Sequence, residues 1–159
     1  MLIILARHAD RETRKDRRDI EQELTAKGAE QAVHLGQALS RRLNVQGKVI
    51  SLVLTSPYQR TIQTAQLMAQ ELGLPPERVQ ILDALAPDIE GSVDATMQVL
   101  STLPDEGVIL VGHGPDLASM ARKLCGQAVE LNKAHSMGVE KNTENGESRL
   151  LWLVSHNDY

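Results

Sequence analysis

The stretch LIILARH, residues 2–8, carries five aliphatic residues directly into an arginine and a histidine. Three further aliphatic runs, at 49–54, 79–82 and 108–111, are similarly short and nearly continuous. Runs of this kind are typical of strands buried on both faces of a mainly parallel sheet. Ligands of open α/β sheets bind outside the carboxyl ends of the strands. The polar residues that follow these runs are therefore the first candidates for a functional site.

Amphipathic helices are predicted between the runs, because apolar residues recur there at three- and four-residue spacing. The first helix has its apolar face within residues 29–43, and Thr25 is the predicted N-cap. The second has its apolar face within residues 62–72, and Gly73 is predicted as the C-cap. Two helices therefore separate the first three strands.

Two more helices are predicted in the second half of the chain. Ser92 is the expected cap of the third, and the fourth is predicted over residues 115–124, with Gly126 ending it. Pro57 and Pro115 are expected as first helical residues, a position that tolerates proline because its N–H is not needed there.

The end of the chain predicts a β-hairpin, with strands at 136–140 and 148–154 around Asn-Gly at 145–146. The alternation of strands and helices predicts an α/β fold. We expect one domain over residues 1–159. It has three layers (α/β/α), with a mostly parallel sheet, helices on both faces and the C-terminal hairpin.

The composition excludes several classes of protein. A net charge of −4 disfavours a general nucleic-acid binder, and the absence of Phe argues against aromatic stacking platforms for single strands. One cysteine, Cys125, excludes an intramolecular disulfide framework. No stretch reaches membrane-spanning length. We expect a soluble cytoplasmic protein without membrane or nucleic-acid partners and, for lack of a long amphipathic seam, a monomer.

Four residues at or just beyond the predicted strand ends suit a phosphoryl group: Arg7, His8, Arg60 and His113. Such a group spreads negative charge over its oxygens, and arginine meets those oxygens in pairs. Turnover also needs a nucleophile, and a neutral imidazole such as that of His8 can attack phosphorus. The pattern predicts a phosphate-handling site.

The motifs around these residues resemble a known family. RHA at 7–9, SPYQRTIQTA at 56–65 and GHGP at 112–115 look like the histidine phosphatase (phosphoglycerate mutase-like) superfamily. Leu-Thr at 24–25, Leu-Ala-Pro at 85–87 and the small size look most like its SixA-type phosphohistidine phosphatase branch. The resemblance implies a phosphoglycerate mutase-like fold. It also implies that His8 is the nucleophile and forms a phosphohistidine, while Arg7, Arg60 and His113 hold the phosphoryl oxygens.

The sequence departs from the family pattern in three places. Ala9 stands where many members have glycine, and Thr61 stands where many have alanine. Larger members supply a general acid from an insertion after the third strand. Here that stretch is short, and Asp83, Asp88 and Glu90 are its candidate acids. The missing insertion favours a phosphoramidate or phosphoprotein substrate, because a leaving imidazole needs no strong acid.

The charged segment 11–19 has two interpretations. It is either a solvated loop or a rim that attracts anionic substrate, in which case Arg17 and Arg18 contribute.

No residues have metal-ligand spacing, so we expect neither metal nor cofactor. The family resemblance implies hydrolysis of phosphohistidine on a partner protein as the expected activity. A small sugar or nucleotide phosphate, or phosphate binding without turnover, are the alternatives.

Overall fold

A computed structural model describes residues 1–158 as a single six-stranded sheet with four helices; Tyr159 lies outside the described residues. The strands are β1 (Leu2–Arg7), β2 (Ile50–Thr55), β3 (Val79–Ile81), β4 (Gly107–Gly112), β5 (His135–Lys141) and β6 (Ser148–Ser155). The helices are α1 (Ala26–Gln46), α2 (Gln59–Glu71), α3 (Ser92–Thr102) and α4 (Gly114–Cys125). Short 3₁₀ turns lie at Asp19–Glu21, Pro76–Arg78 and Asp83–Leu85.

The strand order is β3-β2-β4-β1-β5-β6, and the first four of these strands are parallel. β5 runs antiparallel to β1, and β6 runs antiparallel to β5. The mostly parallel sheet and the C-terminal hairpin are thus confirmed. The register pairs Arg7 with Gly112 and Thr55 with Val111, which brings the carboxyl ends of β1, β2 and β4 to one edge.

Helices cover both faces of the sheet, as predicted. In β1, Leu2, Ile4 and Ala6 belong to the core beneath α1 and α2. The alternate residues Ile3 and Leu5 belong to the core that α3 and α4 cover. Every residue from the second to the sixth is buried, which explains why β1 is uniformly aliphatic and does not alternate with polar residues.

The predicted helix ends are partly right. Thr25 caps α1, with its hydroxyl accepting from the N–H of Gly28, and Gly126 ends α4 in a left-handed conformation. Gly73 is also left-handed but lies one residue beyond the cap of α2, which is Leu72. Pro115 is the second residue of α4 and not the first.

Two predicted helix starts are wrong. Gly91, at φ +75°, precedes α3, so Ser92 is the first helical residue and not its cap. Ser92 is buried and its carbonyl accepts from the Thr96 hydroxyl. Pro57 lies before α2, whose cap is Tyr58. The N–H of Tyr58 donates to the hydroxyl of Ser56, so the chain forms a turn through Pro57 and the helix begins after it.

Within residues 1–158, no helix is both long and apolar enough to cross a bilayer.

Candidate active site

The structure brings together residues from three parallel strand ends. The N–H of His8 donates to the carbonyl of Gly112, and the N–H of Ser56 donates to that of Val111. His8 follows β1 and His113 follows β4, and their ring centroids lie 5.5 Å apart. Side chains from consecutive parallel strands therefore converge at one edge, as sequence reasoning predicts.

Arg60 reaches the same place from the first turn of α2. Its Cζ lies 4.8 Å from the centroid of the Tyr58 ring, whose own centroid is 5.1 Å from that of His113. His8, Arg60 and His113 are each only 5% exposed. Burying three polar side chains costs free energy unless they have hydrogen-bond partners. The partners of each side chain therefore indicate its orientation and where its protons are.

The His8 ring has a fixed tautomer. Its Nδ1 lies 2.8 Å from the carbonyl oxygen of Ala9. A carbonyl only accepts, so Nδ1 carries the proton and the lone pair of the neutral ring is on Nε2. Burial lowers the pKa of His8 to about 4, and the positive charges of Arg60, Arg7 and Lys133 act in the same direction. The bond to Ala9 opposes this shift without reversing it. His8 is therefore neutral at neutral pH.

His113 is also neutral in the free protein. Burial lowers its pKa to about 3, and the neighbouring His8 and Arg60 lower it further. Its Nε2 lies 2.9 Å from the hydroxyl oxygen of Ser56, which accepts from the N–H of Tyr58. The Ser56 hydroxyl thus has its proton available for Nε2. That arrangement leaves the Nδ1–H of His113 as a donor.

Both arginines carry a buried donor without a partner. Arg7 Nη1 donates to the carbonyl of Leu131, and Arg60 Nη1 donates to the backbone oxygen of Asp19. Within residues 1–158, the Nε atoms of Arg7 and Arg60 are buried and make no hydrogen bond. Burial also lowers the pKa of Arg7. Buried unpaired donors are rare, because each one loses its water without compensation. Two of them beside two histidines describe a site that an anion would complete.

The first turn of α4 lies against Arg7. A Cβ at Gly114 would lie 3.3 Å from Arg7 Cζ, so a larger residue there would push against the guanidinium. Opposite it, the N–H of Ala134 donates to the carbonyls of both Arg7 and His8. Ala134 has a φ of +57°, a strained conformation for a non-glycine residue. The backbone on both sides thus holds the Arg-His pair in place.

Sequence reasoning missed three residues of the site: Ser56, Asp19 and Lys133. The position of Ser56 at a strand end could have identified it as a candidate site residue. Asp19 pairs with Arg60, at 3.1 Å between Oδ1 and Nη1; it belongs to the charged segment 11–19, whose rim interpretation names only Arg17 and Arg18. Lys133 Nζ lies 3.2 Å from Asp10 Oδ1, and its positive charge lowers the pKa of His8. It is distant in sequence from every motif, so only the fold reveals it.

The proposed rim residues Arg17 and Arg18 have ion-pair partners within residues 12–23. Arg17 pairs with Glu12 and Glu23, and Arg18 pairs with Glu21. In the part of the chain that the structure describes, neither arginine has a hydrogen bond or ion pair with Arg7, His8, Arg60 or His113.

The acids Asp83, Asp88 and Glu90 are exposed. Asp88 adopts a φ of +60°, and its charge raises the pKa of Asp116, which burial raises more strongly. Asp116 Oδ2 is buried without a hydrogen-bond partner among residues 1–158. The same described residues contain no group of three or more His, Cys, Asp or Glu arranged to hold a metal ion.

Comparisons with known proteins agree with this geometry. The family model described as the histidine phosphatase superfamily (branch 1) matches residues 3–86. An uncharacterized protein of Picosynechococcus is 34% identical over 129 residues, which cover 76% of this chain and 73% of the relative.

Solved structures show the same fold. The protein histidine phosphatase SixA in complex with tungstate superposes with a TM-score of 0.82 at 24% identity, covering 98% of this chain and 97% of that one. A putative α-ribazole-5′-phosphate phosphatase from Escherichia coli superposes with a TM-score of 0.78 at 20% identity, covering 98% of each chain. These likenesses confirm the phosphoglycerate mutase-like architecture. Together with the match of the family model over more than half of the sequence, they place this chain in branch 1 of the histidine phosphatase superfamily, a superfamily of phosphatases.

Proposed function

We propose that the protein is a metal-independent phosphatase that works through a phosphohistidine on His8. The observation that carries the proposal is the bond from His8 Nδ1 to the carbonyl of Ala9, which leaves a lone pair on Nε2. The low pKa of about 4 keeps that lone pair unprotonated at neutral pH. A neutral, oriented imidazole beside cationic groups is what nucleophilic attack on a phosphoryl group needs.

Side chains with free N–H donors would hold the transferred phosphoryl group. Arg7 and Arg60 each offer a buried Nε–H, and His113 offers its Nδ1–H. Donors that are already in place stabilise the charge on the equatorial oxygens without reorganisation during the reaction. In this proposal the three residues bind the phosphoryl oxygens, and His8 receives phosphorus.

The preferred substrate is phosphohistidine on a partner protein. His8 Nε2 attacks phosphorus while the P–N bond of the substrate breaks. The substrate imidazole leaves as a neutral ring when its other nitrogen carries a proton. Water then attacks phospho-His8, its proton passes to solvent, and the His8 ring returns to its starting state with Nδ1–H still bonded to Ala9.

The arrangement of the carboxylates supports this choice. An imidazole leaving group needs no strong general acid, and the exposed acids Asp83 and Asp88 make no hydrogen bond or ion pair with His8 among residues 1–158. The similarity in fold to SixA, a protein histidine phosphatase, points the same way.

A small phosphate ester is the second candidate substrate. The fold is also similar to that of a putative α-ribazole-5′-phosphate phosphatase. In addition, Asp116 has a raised pKa and a buried oxygen without a partner, which suits the protonation of an alkoxide leaving group. Either substrate would use the same four central residues.

The test measures phosphate release in the presence of a chelator from a phosphohistidine peptide and from p-nitrophenyl phosphate. His8→Ala is compared with His34→Ala, a matched loss of a histidine from the half-buried surface of α1. We expect turnover and a phosphate label on His8 in the wild-type protein and in His34→Ala, and neither in His8→Ala. Turnover that survives in His8→Ala refutes the covalent mechanism. Phosphate binding without turnover of either substrate identifies a binding module.

A further inference from the structure

Asp19 contacts the guanidinium that the proposed function assigns to phosphate. Arg60 Nη1 lies 3.1 Å from Asp19 Oδ1, and Nη2 lies 3.4 Å from Oδ2. The backbone oxygen of Asp19 also accepts from Nη1 at 3.0 Å. The charge of Asp19 also reaches His113, whose pKa it raises against the larger lowering effects. A carboxylate therefore lies within the cluster of groups that would bind an anion.

The segment that carries Asp19 is ordered by its own hydrogen bonds. Gln22 is buried, and its side-chain amide donates to the carbonyls of Arg14 and Arg17 while its oxygen accepts from the N–H of Arg14. The base of the segment is closed by a bridge between Arg11 and Leu24. The position of Asp19 is thus built by the fold.

The two partners of the ion pair differ in their freedom to move. The Arg60 side chain is 6% exposed and stacks over Tyr58, whereas the Asp19 carboxylate is 58% exposed. Water can solvate the carboxylate if it turns away, but the guanidinium is confined. The backbone oxygen of Asp19 would still hold Nη1 if the carboxylate were removed. Without the Asp19 carboxylate, Arg60 would keep its bond to the Asp19 backbone oxygen and its contact with Tyr58 but would lose a negative charge beside it.

We infer that Asp19 is an internal competitor for the phosphate site. Its carboxylate neutralises part of the positive charge of Arg60 and repels a bound phosphate dianion, so it weakens the hold on the product and speeds its release. This inference rests on the proposed function, because it requires phosphate to bind at Arg60. It predicts that removing the charge tightens the binding of inorganic phosphate.

The experiment is calorimetric titration of the full chain with inorganic phosphate. Asp19→Asn and Asp19→Ala are compared with Asp16→Asn, which makes the same charge change in the same segment at a residue that pairs with Arg14. We expect both Asp19 variants to bind phosphate about two- to fivefold more tightly, as for the loss of a partly exposed charge interaction. Asp16→Asn should match the wild-type protein.

The other outcomes separate the two proposals. Weaker or unchanged binding in Asp19→Ala would show that Asp19 positions Arg60 or is inert, and would overturn the inference. Equal tightening by Asp16→Asn would also overturn it, because the effect would then be one of net charge. If Arg60→Ala binds phosphate as the wild-type protein does, phosphate is not held at Arg60, and both the site assignment and the inference fail. Circular dichroism and thermal unfolding confirm that each variant is folded.

Discussion

Lowering the pH should destabilise the folded protein through His8. In the unfolded chain His8 has its ordinary pKa of 6.5, and burial lowers this to about 4 in the folded state. Between these two values the unfolded chain binds a proton that the folded protein does not. The free energy of unfolding therefore falls as the pH falls from 6.5 towards 4, and this loss is absent above pH 6.5.

The expected size of this effect follows from the shift. One pH unit corresponds to about 1.4 kcal/mol per proton, so His8 alone lowers the free energy of unfolding by about 2 kcal/mol between pH 7 and pH 5. His113, with a folded-state pKa of about 3, contributes a similar amount over that range. His8→Gln removes the contribution of His8, and burial, the larger cause, still keeps the pKa of His113 low in this variant.

Urea unfolding at pH 7 and pH 5 measures this prediction directly. The wild-type protein should lose about 2 kcal/mol more than His8→Gln between the two pH values. His34→Gln serves as the control, because it removes a histidine without touching the site, and it should follow the wild-type protein. If His8→Gln and the wild-type protein lose the same stability, His8 titrates normally in the folded state. Burial in the folded protein would then not be what keeps His8 unprotonated.

Three further changes test particular contacts. Gly28→Ala would place a Cβ 1.9 Å from the carbonyl oxygen of Asp10, so thermal unfolding should show that the free energy of unfolding falls by about 2 kcal/mol or more. The control is Lys27→Ala, at the exposed neighbouring position, which should change the stability little. Ser56→Ala removes the hydroxyl that orients the second histidine of the site, and steady-state kinetics should show about a tenfold lower kcat at normal stability; an unchanged kcat would contradict that role. Replacing Arg17 and Arg18 by Gln should leave turnover of p-nitrophenyl phosphate unchanged, because both are paired with carboxylates of their own segment. A loss at low salt with a phosphoprotein only would instead support the rim interpretation.

The meeting of Arg7, His8 and His113 at one edge of the sheet was predictable because each of them lies at or just beyond a strand end. A buried parallel strand is visible as an aliphatic run, and the sheet then fixes where its last residue lies. Arg7 and His8 follow β1, and His113 follows β4, so the topology alone brings them together. The pairing of β1 with β4 turns two distant motifs into neighbours.

Asp19 and Lys133 were not predictable for the opposite reason. Asp19 reaches Arg60 through a segment that folds back on a buried Gln22, and glutamine carries no sequence signal for such a role. Lys133 approaches His8 only because residues 131–134 pack beside β1. The candidate acid Asp88 was suggested by its order in the chain, but a left-handed turn leaves it on the surface beside Asp116.

The charges of the free site explain how it can hold two neutral histidines and still bind a dianion. The positive charges of Arg7 and Arg60 help to keep His8 and His113 unprotonated. A phosphoryl group bound as proposed would neutralise those arginines, so it would remove one cause of the low pKa of His113 and add negative charge beside its ring. In the proposed mechanism His113 would then be easier to protonate, while Nε2 of His8 would be bonded to phosphorus and closed to protons. The same anion would therefore act oppositely on the two rings, because His8 is bonded through Nδ1 to a carbonyl and His113 through Nε2 to a hydroxyl.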